Sequence, residues 1–195
     1  GTYPFVTSSN TTAGAVATGA GFGPLYMDEV IGVTKAYVTR VGSGPFPTEL
    51  TDDFGKLMAD KGNEFGATTG RPRRCGWFDV PLMRHSIRVN SISGLAMTKL
   101  DVLDEMSEIK ICTGYRHHEN TLTTMPFDSA VLSQCVPVYE SMPGWRSSTF
   151  GETQFEKLPV AAKNYLNRLS DLLDTPIRYV STGPERNQTI VLEPH

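Results

Sequence analysis

Apolar and polar positions recur along the chain with two periods, and these periods divide it into strands and helices. Runs rich in β-branched and other apolar residues predict three strands, at 33–41, 92–97 and 176–180. Apolar residues at helical spacing predict two amphipathic helices, at 51–61 and 158–173. A third helix is predicted to start beside Asp79, because Pro81 follows two places later, and to end near Asn90.

The rest of the chain contains shorter predicted elements. Residues 107–115 alternate between apolar and polar positions, so we expect a strand there that pairs with residues 121–125. Near the start of the chain, the pattern predicts a short strand within 1–10, a small-residue helix or coil at 13–23, and a short helix at 24–32. The predicted fold class is α/β, with a mainly parallel central sheet, flanking helices and a small antiparallel hairpin region.

Composition limits the possible classes of protein. The chain has 195 residues, of which 39% are hydrophobic, which is enough for one domain with a core. Its formal charge of -3 and the lack of a basic tract argue against nucleic acid as the main partner. No apolar run reaches the roughly 18 to 20 residues that a membrane helix needs. The three cysteines, Cys75, Cys112 and Cys135, lack the spacing of a disulfide framework or zinc site, and we expect buried or incidental thiols.

The most distinctive chemistry lies between Phe65 and Trp77. Two threonines, a glycine and three arginines occur there: Thr68, Thr69, Gly70, Arg71, Arg73 and Arg74. Arginine presents a planar fork of donors that matches carboxylate and phosphate oxygens, and glycine lets the backbone approach a ligand closely. Pro72 fixes one φ angle between two of the arginines and so holds their side chains apart. The pattern predicts a loop that binds small anions; the alternative is a solvated basic turn.

A second polar motif, Thr98-Lys99-Leu100-Asp101, stands at the end of the predicted strand 92–97. The Asp101 carboxylate can accept hydrogen bonds from both N1–H and the N2 amine of guanine, while the Lys99 stem packs over the base. Ligands bind outside the carboxyl ends of strands in open α/β sheets, which favours this hypothesis. The turn after strand 176–180 has backbone N–H groups that can reach guanine O6, although a simple β-turn explains it equally; its residues are Ser181, Thr182 and Gly183.

Hydroxyl and amide side chains are dense before the predicted small-residue helix. All six residues from Thr7 to Thr12 are Ser, Thr or Asn. Capping of the helix explains one or two of them. The remainder favour phosphate binding at this helix N-terminus, where N–H groups and the helix dipole both attract an anion.

Several of these segments together resemble the adenylosuccinate synthetase family, and they occur in the family's order. The matching segments are 1–10, 42–50, 63–77, 98–104 and 181–184. The resemblance covers essentially the whole chain, as the carboxyl-terminal part of that enzyme. It implies a P-loop-NTPase-like fold in which residues 1–195 are a single α/β domain of a larger GTP-dependent ligase. The family joins L-aspartate to IMP with GTP as co-substrate, giving adenylosuccinate, GDP and phosphate in de novo purine (AMP) biosynthesis.

The resemblance also implies roles for individual residues. Thr7 resembles the threonine that contacts the IMP phosphate, Arg71 resembles the arginine that reaches the IMP ribose, and Arg73 resembles one that nears GTP. The loop that holds aspartate is matched by Ala67, Thr68, Thr69, Gly70, Arg71, Pro72 and Arg73. The guanine-reading set is matched by Lys99, Leu100 and Asp101, with Ser181, Thr182 and Gly183 closing around the base.

The family's phosphoryl-transfer machinery matches no segment of this chain. Its phosphate loop, its Mg²⁺-binding and proton-abstracting aspartate and its proton-donating histidine are expected upstream of Gly1, and no GxxxxGK[ST] motif occurs here. We therefore expect no catalytic residue and no metal ligand in this chain, and no turnover by the chain alone. The resemblance further implies a cytoplasmic homodimer with small-molecule substrates and no nucleic-acid or membrane partner.

Two other functions are compatible with the same residues. In one, the chain is a non-catalytic guanine-nucleotide-binding or regulatory module, in which Asp101 binds the base but nothing turns over. In the other, it is an interaction domain whose arginine loop binds an acidic partner. Sequence upstream of Gly1 would separate the synthetase from the first alternative, and titration with aspartate, IMP and an acidic protein would test the second.

Overall fold

The computed structural model describes residues 2–7, 9–66 and 70–192, so the predicted site residues Ala67, Thr68 and Thr69 lie outside the described residues. The described residues form ten strands: β1 (Ile31–Lys35), β2 (Val38–Val41), β3 (Arg73–Gly76), β4 (Phe78–Asp79), β5 (Gly94–Thr98), β6 (Glu108–His117), β7 (Asn120–Leu122), β8 (Val136–Pro143), β9 (Ile177–Ser181) and β10 (Thr189–Val191). They also form five α-helices: α1 (Ala15–Ala20), α2 (Asp53–Lys61), α3 (Val80–Asn90), α4 (Ser129–Ser133) and α5 (Val160–Leu173). Short 3₁₀ turns occupy Pro24–Tyr26, Leu100–Leu103 and Phe155–Lys157.

The principal sheet has the strand order β1-β5-β9-β10. Strand β5 runs parallel to both β1 and β9, whereas β10 is antiparallel to β9. This arrangement confirms the predicted α/β fold with a mainly parallel sheet. The predicted strands at 92–97 and 176–180 correspond to β5 and β9.

Two further sheets are built beside the principal one. Strands β2 and β3 form an antiparallel ribbon, in which Arg40 lies opposite Arg74. Strand β6 pairs in parallel with β4 and antiparallel with both β7 and β8. The β6–β7 pairing, with Tyr115 opposite Leu122, confirms the predicted antiparallel hairpin.

Aspartate side chains cap the N-termini of two helices, and one of them is the start of α3 predicted at Asp79. The carboxylate of Asp79 accepts a hydrogen bond from the Leu82 N–H at 3.0 Å and so caps α3. Asp52 caps α2 in the same way through the Gly55 N–H, at 3.2 Å. The apolar stripe of α5 faces the core; its buried members are Ala162, Tyr165, Leu166, Leu169 and Leu173.

The single strand predicted at 33–41 is wrong. The chain leaves the principal sheet after Lys35 and enters the antiparallel ribbon at Val38. Ala36 and Tyr37 lie between the two strands and are both buried. The Ala36 N–H donates to the Thr98 carbonyl at 2.8 Å, and the Tyr37 side chain turns inward. Composition alone cannot show this division, because both halves are equally rich in β-branched residues.

The predictions near the start of the chain are also corrected. Residues 2–7 contain turns and bends instead of a strand, and Phe5 and Val6 are exposed. The predicted helix at 24–32 reduces to one 3₁₀ turn at its start. Its last two residues, Ile31 and Gly32, pair with β5 as the start of β1. Parallel pairing with β5 therefore overrides the local helical pattern. The small-residue helix is confirmed as α1.

One large core and one small core account for most of the buried apolar side chains described. The large core includes Trp77, Met97 and Leu100, and the smaller core packs around Tyr115. The three cysteines are free and buried, as expected.

Candidate functional site

Three polar segments leave the principal sheet at one edge. Strands β1, β5 and β9 are parallel neighbours, so their carboxyl ends lie side by side. Strand β1 ends at Lys35, which is opposite Thr98 at the end of β5. The predicted guanine segment 99–101 therefore starts beside Lys35, and the turn 181–183 starts on its other side. This is the edge at which open parallel sheets bind ligands.

A buried carboxylate, that of Glu64, lies at the centre of the site. Its side chain has no exposed surface, and it accepts hydrogen bonds from the Tyr37 hydroxyl and from three cationic side chains. Lys35 lies 2.9 and 2.8 Å from the two carboxylate oxygens, Lys99 lies 2.9 Å from Oε1, and Arg73 lies 2.8 Å from Oε2. We call these five residues the Glu64 cluster. Three cations and one carboxylate leave it with two formal positive charges in excess.

The hydrogen bonds of the cluster keep Glu64 ionised. Burial raises the pKa of this carboxyl, but the hydrogen bonds from Lys35, Tyr37, Arg73 and Lys99 together outweigh burial and lower the pKa to about 2. Burial also lowers the pKa of Lys35, and Glu64 opposes that change. The pKa of Tyr37 is raised by burial and by its bond to Glu64, so its hydroxyl stays a donor.

The predicted anion-binding loop is attached directly to this cluster. The Arg73 N–H donates to the Glu64 carbonyl at 2.8 Å, in addition to the side-chain bond between the same residues. The Gly66 N–H donates to the Arg71 carbonyl, also at 2.8 Å. These backbone bonds close the base of the loop, so its two ends are anchored beside the buried carboxylate.

Gly70 and Pro72 shape the described end of the loop. Gly70 has a φ of +62°, a left-handed conformation that favours glycine. Pro72 pairs with Phe65 in a single antiparallel bridge. Arg71 is exposed beside them, whereas Arg73 is half-buried. The two arginines therefore differ in their surroundings, although both belong to the predicted loop.

The third arginine of the stretch, Arg74, belongs to the scaffold. Neighbouring side chains on a strand point to opposite faces, and Arg74 points away from the Glu64 cluster. Its guanidinium makes a two-pronged contact with Glu49, at 2.7 and 2.6 Å, and also donates to the Gly42 and Gly44 carbonyls. Arg74 is therefore held by different partners from Arg73, which with Arg71 is one of the two arginines assigned to the predicted aspartate loop.

The predicted guanine segment has an unusual backbone. Lys99 has a φ of 58°, in the left-handed region, and its Nζ donates to the Gly62 carbonyl as well as to Glu64. Leu100 is fully buried, so its side chain anchors the segment and only its backbone can meet a ligand. Asp101 is half-buried in the 3₁₀ turn that follows, and burial raises its pKa.

The turn after β9 is fastened to neighbouring segments. Thr182 is buried; its N–H donates to the Gln188 carbonyl at 3.0 Å and its hydroxyl to the Glu152 carbonyl at 2.8 Å. The Ser181 hydroxyl donates to the Gly183 carbonyl at 2.8 Å. The side chain and N–H of Thr182 are therefore used by the fold itself.

Thr7 lies at the end of an exposed run, residues 3–7. It is exposed, and its hydroxyl accepts a bond from the Ser9 N–H at 3.3 Å. The preceding backbone is held by Arg40, whose guanidinium donates to the Phe5 carbonyl at 3.1 Å. In the described part of the chain, no hydrogen bond links Thr7 to the Glu64 cluster.

A cavity of about 690 Å³ borders the cluster on the side of β1. Lys35 and Tyr37 line this cavity and also contact Glu64. Thr39, which accepts a hydrogen bond from Lys35 at 2.8 Å, lines it as well. A small ligand in this space would therefore be adjacent to the cluster.

Residues 2–7, 9–66 and 70–192 contain no group of three or more His, Cys, Asp or Glu side chains that could hold a metal ion. No helix within the same ranges is long and apolar enough to cross a bilayer.

The family model for adenylosuccinate synthetase matches residues 1–190 of this chain. The chain belongs to the adenylosuccinate synthetase family. An adenylosuccinate synthetase of Coxiella burnetii is 61% identical over 191 residues, which are 98% of this chain and 44% of that protein. The adenylosuccinate synthetase of Hahella chejuensis is 58% identical over 193 residues, or 98% of this chain and 45% of that protein. The chain thus spans about half the length of the curated relatives that it matches.

Solved structures of this family and of a related enzyme share the fold. A fully ligated adenylosuccinate synthetase from Plasmodium falciparum matches with a TM-score of 0.95 and 41% identity, over 99% of this chain and 46% of that one. A succinoaminodeoxyadenylate synthetase of cyanophage S-2L matches with a TM-score of 0.53 and 16% identity, over 98% of this chain and 41% of that one. At that identity the second comparison shows the fold alone.

Sequence reasoning missed the residue at the centre of this family member's site. Glu64 lies immediately before the loop, but nothing in its local pattern distinguishes it from a surface glutamate. The structure brings Arg73, predicted to contact aspartate and GTP, and Lys99, predicted to contact guanine, onto its one carboxylate. Lys35, a third member of the cluster, was also missed. For Lys35 a signal was present, since it is a charged residue within the largely apolar run 33–41.

Proposed function

We propose that a full-length protein containing this chain is a GTP-dependent ligase that joins L-aspartate to IMP. The γ-phosphoryl group of GTP passes to O6 of IMP, and the aspartate amine then displaces it as phosphate, leaving adenylosuccinate and GDP. The observation that supports this most strongly is the sharing of one buried carboxylate by Arg73 and Lys99, within a chain of the synthetase family.

We assign aspartate binding to the loop that begins at the Glu64 cluster. Its candidate binding residues are Ala67, Thr68, Thr69, Gly70, Arg71, Pro72 and Arg73, of which Thr68, Thr69, Arg71 and Arg73 are the side-chain donors. The guanidinium forks of Arg71 and Arg73 suit the two aspartate carboxylates, and the excess positive charge of the cluster attracts these anionic groups. Arg71 and Thr7 are further proposed to bind the IMP ribose and phosphate respectively.

We assign guanine recognition to the edge formed by β5 and β9. Asp101 accepts from the N1–H and N2 amine of the base, the Lys99 stem covers the ring, and Leu100 supports the turn from the core. Ser181, Thr182 and Gly183 close around the base. Because Thr182 already donates its N–H and hydroxyl within the fold, we assign the contact with guanine O6 to the Gly183 N–H.

We infer that the phosphoryl-transfer groups lie outside this chain. Residues 1–195 would then be a single α/β domain, the carboxyl-terminal part of the complete ligase. Mg²⁺ would be held by side chains of the remaining part, where it would neutralise charge on the transferred phosphoryl group. The complete enzyme is proposed to be a cytoplasmic homodimer with small-molecule substrates and no nucleic-acid or membrane partner.

A coupled assay of GTP-, IMP- and aspartate-dependent adenylosuccinate formation tests the proposal. The full-length protein should turn over, and residues 1–195 alone should not. Turnover by the isolated chain would contradict the placement of the phosphoryl-transfer groups. Binding of GDP without turnover by the full-length protein would instead favour a non-catalytic guanine-nucleotide-binding module.

A further inference from the structure

We propose that Glu64 is a positioning residue that couples the guanine-nucleotide site to the aspartate site through Lys99 and Arg73. The inference rests on the proposed function, because it takes Lys99 as part of the base site and Arg73 as part of the aspartate loop. Glu64 touches neither substrate in this assignment. It acts by holding one cation from each site on a single carboxylate.

The connection between the two sites is short and direct. Lys99 Nζ lies 2.9 Å from Oε1 of Glu64, and Arg73 Nη1 lies 2.8 Å from Oε2. Each carboxylate oxygen therefore carries a cation from a different ligand segment. A shift of either cation changes the hydrogen bonding of the carboxylate, and hence the position that the other cation prefers.

The rest of the surroundings keep the carboxylate from adapting freely. Lys35 bonds both oxygens, and the Tyr37 hydroxyl bonds Oε1. The backbone is restricted as well, because Lys99 and Asn63, the residue before Glu64, both have positive φ, at 58° and 46°. Non-glycine residues persist in that conformation only when their surroundings enforce it, and such residues cluster at functional sites.

The charge balance predicts that the coupling is positive, so that each ligand increases the affinity for the other. With two positive charges in excess, Arg73 and Lys99 repel each other, and the Glu64 carboxylate that both contact offsets this repulsion. A nucleotide that orders Lys99 over its base also fixes the carboxylate, so Arg73 is already in place for aspartate. By linkage, aspartate must improve nucleotide affinity by the same factor.

Isothermal titration of the full-length protein in the presence of IMP tests this coupling. L-aspartate is titrated with and without saturating GDP, and GDP with and without saturating aspartate. In the parent protein we expect each ligand to lower the dissociation constant of the other about 5- to 150-fold, the usual range of allosteric coupling. In Glu64→Gln, which keeps the size but removes the charge, we expect that factor to fall below about twofold.

A matched control is available in the neighbouring ribbon. Glu49→Gln breaks the contact with Arg74, the arginine next to Arg73, without touching the Glu64 cluster. It should keep the parent coupling factor.

Because Glu64→Gln leaves three cations unbalanced and could unfold, Glu64→Asp is the second variant. It keeps the charge but is one methylene too short to reach all its partners, so we expect an intermediate factor.

The inference would be overturned by a coupling factor equal to that of the parent protein in folded Glu64→Gln or Glu64→Asp, or by a parent protein that binds both ligands with no enhancement. An equal loss in Glu49→Gln would also overturn it, because the effect would then be general loosening of the ribbon. If the proposed function itself were wrong, the titration would give a different result, because the parent protein would then not bind GDP or aspartate at all.

Discussion

Arg73 and Glu64 are bonded twice, once through the backbone and once through the side chains. The Arg73 N–H donates to the Glu64 carbonyl at 2.8 Å, and Arg73 Nη1 donates to the Glu64 carboxylate at the same distance. A single pair of residues thus closes the base of the predicted anion-binding loop and fixes the position of its second arginine, Arg73. The arginine next along the strand, Arg74, is instead committed to Glu49.

Because Arg73 and Arg74 have different partners, we expect Arg73→Lys to change the kinetics and Arg74→Lys to change the stability. Arg73→Lys replaces a planar fork by a point charge, so one charged hydrogen bond is lost, worth roughly 1.5–3 kcal/mol. We expect kcat/KM for aspartate in the full-length protein to fall at least about tenfold. Arg71→Lys should behave similarly.

Arg74→Lys should lower the thermal midpoint but leave kcat/KM for aspartate unchanged. Equal kinetic losses at 73 and 74 would argue against the assignment.

Asp101→Asn should change which nucleotide the full-length protein prefers. One carboxylate oxygen becomes an NH₂ donor, which faces the N2 amine of guanine but finds an acceptor in the carbonyl of xanthine. One lost pairing in a partly buried site costs about 1–3 kcal/mol. We therefore expect kcat/KM to fall for GTP and to rise for XTP, while KM for IMP and aspartate changes little. A GTP-to-XTP preference equal to that of the parent protein would show that Asp101 does not read the base.

Gly62→Ala should destabilise the protein through the same cluster. A Cβ on Gly62 would lie 2.3 Å from the Tyr37 hydroxyl and 2.7 Å from the Met58 carbonyl oxygen. Such overpacking lowers the free energy of unfolding by about 1–3 kcal/mol. It also displaces the Tyr37 phenol, which donates a hydrogen bond to Glu64. The urea midpoint should fall. Gly19→Ala is the control, because a Cβ there meets nothing within 4 Å and alanine favours the helix. A Gly62→Ala midpoint equal to that of Gly19→Ala would contradict the packing described.

The pKa of Glu64 predicts a specific acid sensitivity. Its pKa in the folded state, about 2, lies below the ordinary 4.5, so the ionised carboxylate stabilises the fold above about pH 4.5. That stability is lost as the pH falls through 2. Urea unfolding from pH 7 to pH 2 should therefore show parent protein and Glu64→Gln converging between about pH 4.5 and pH 2. A constant difference over that interval would show that Glu64 is not ionised and paired in the fold.

Local patterns predicted much of the fold. Helix α3 was located by Asp79 and Pro81, because capping acts within a single turn of helix. Helix α5 was located by the periodicity of its apolar residues, and strands β5 and β9 by their apolar runs. The strand at 33–41 failed because its two halves have the same composition but belong to different sheets. Only the partners of each half, β5 and β3, separate them.

The sequence by itself predicted which residues have the chemistry to bind small anions and guanine, since a guanidinium fork or a carboxylate has that chemistry wherever it stands. It also determined the family, through several segments in a set order. The tertiary structure alone decided that Glu64 joins them. Its partners Lys35 and Lys99 lie 29 and 35 residues away along the chain, at the ends of adjacent parallel strands. Periodicity records the face on which a side chain lies, but strand order and burial decide which distant charges share one carboxylate.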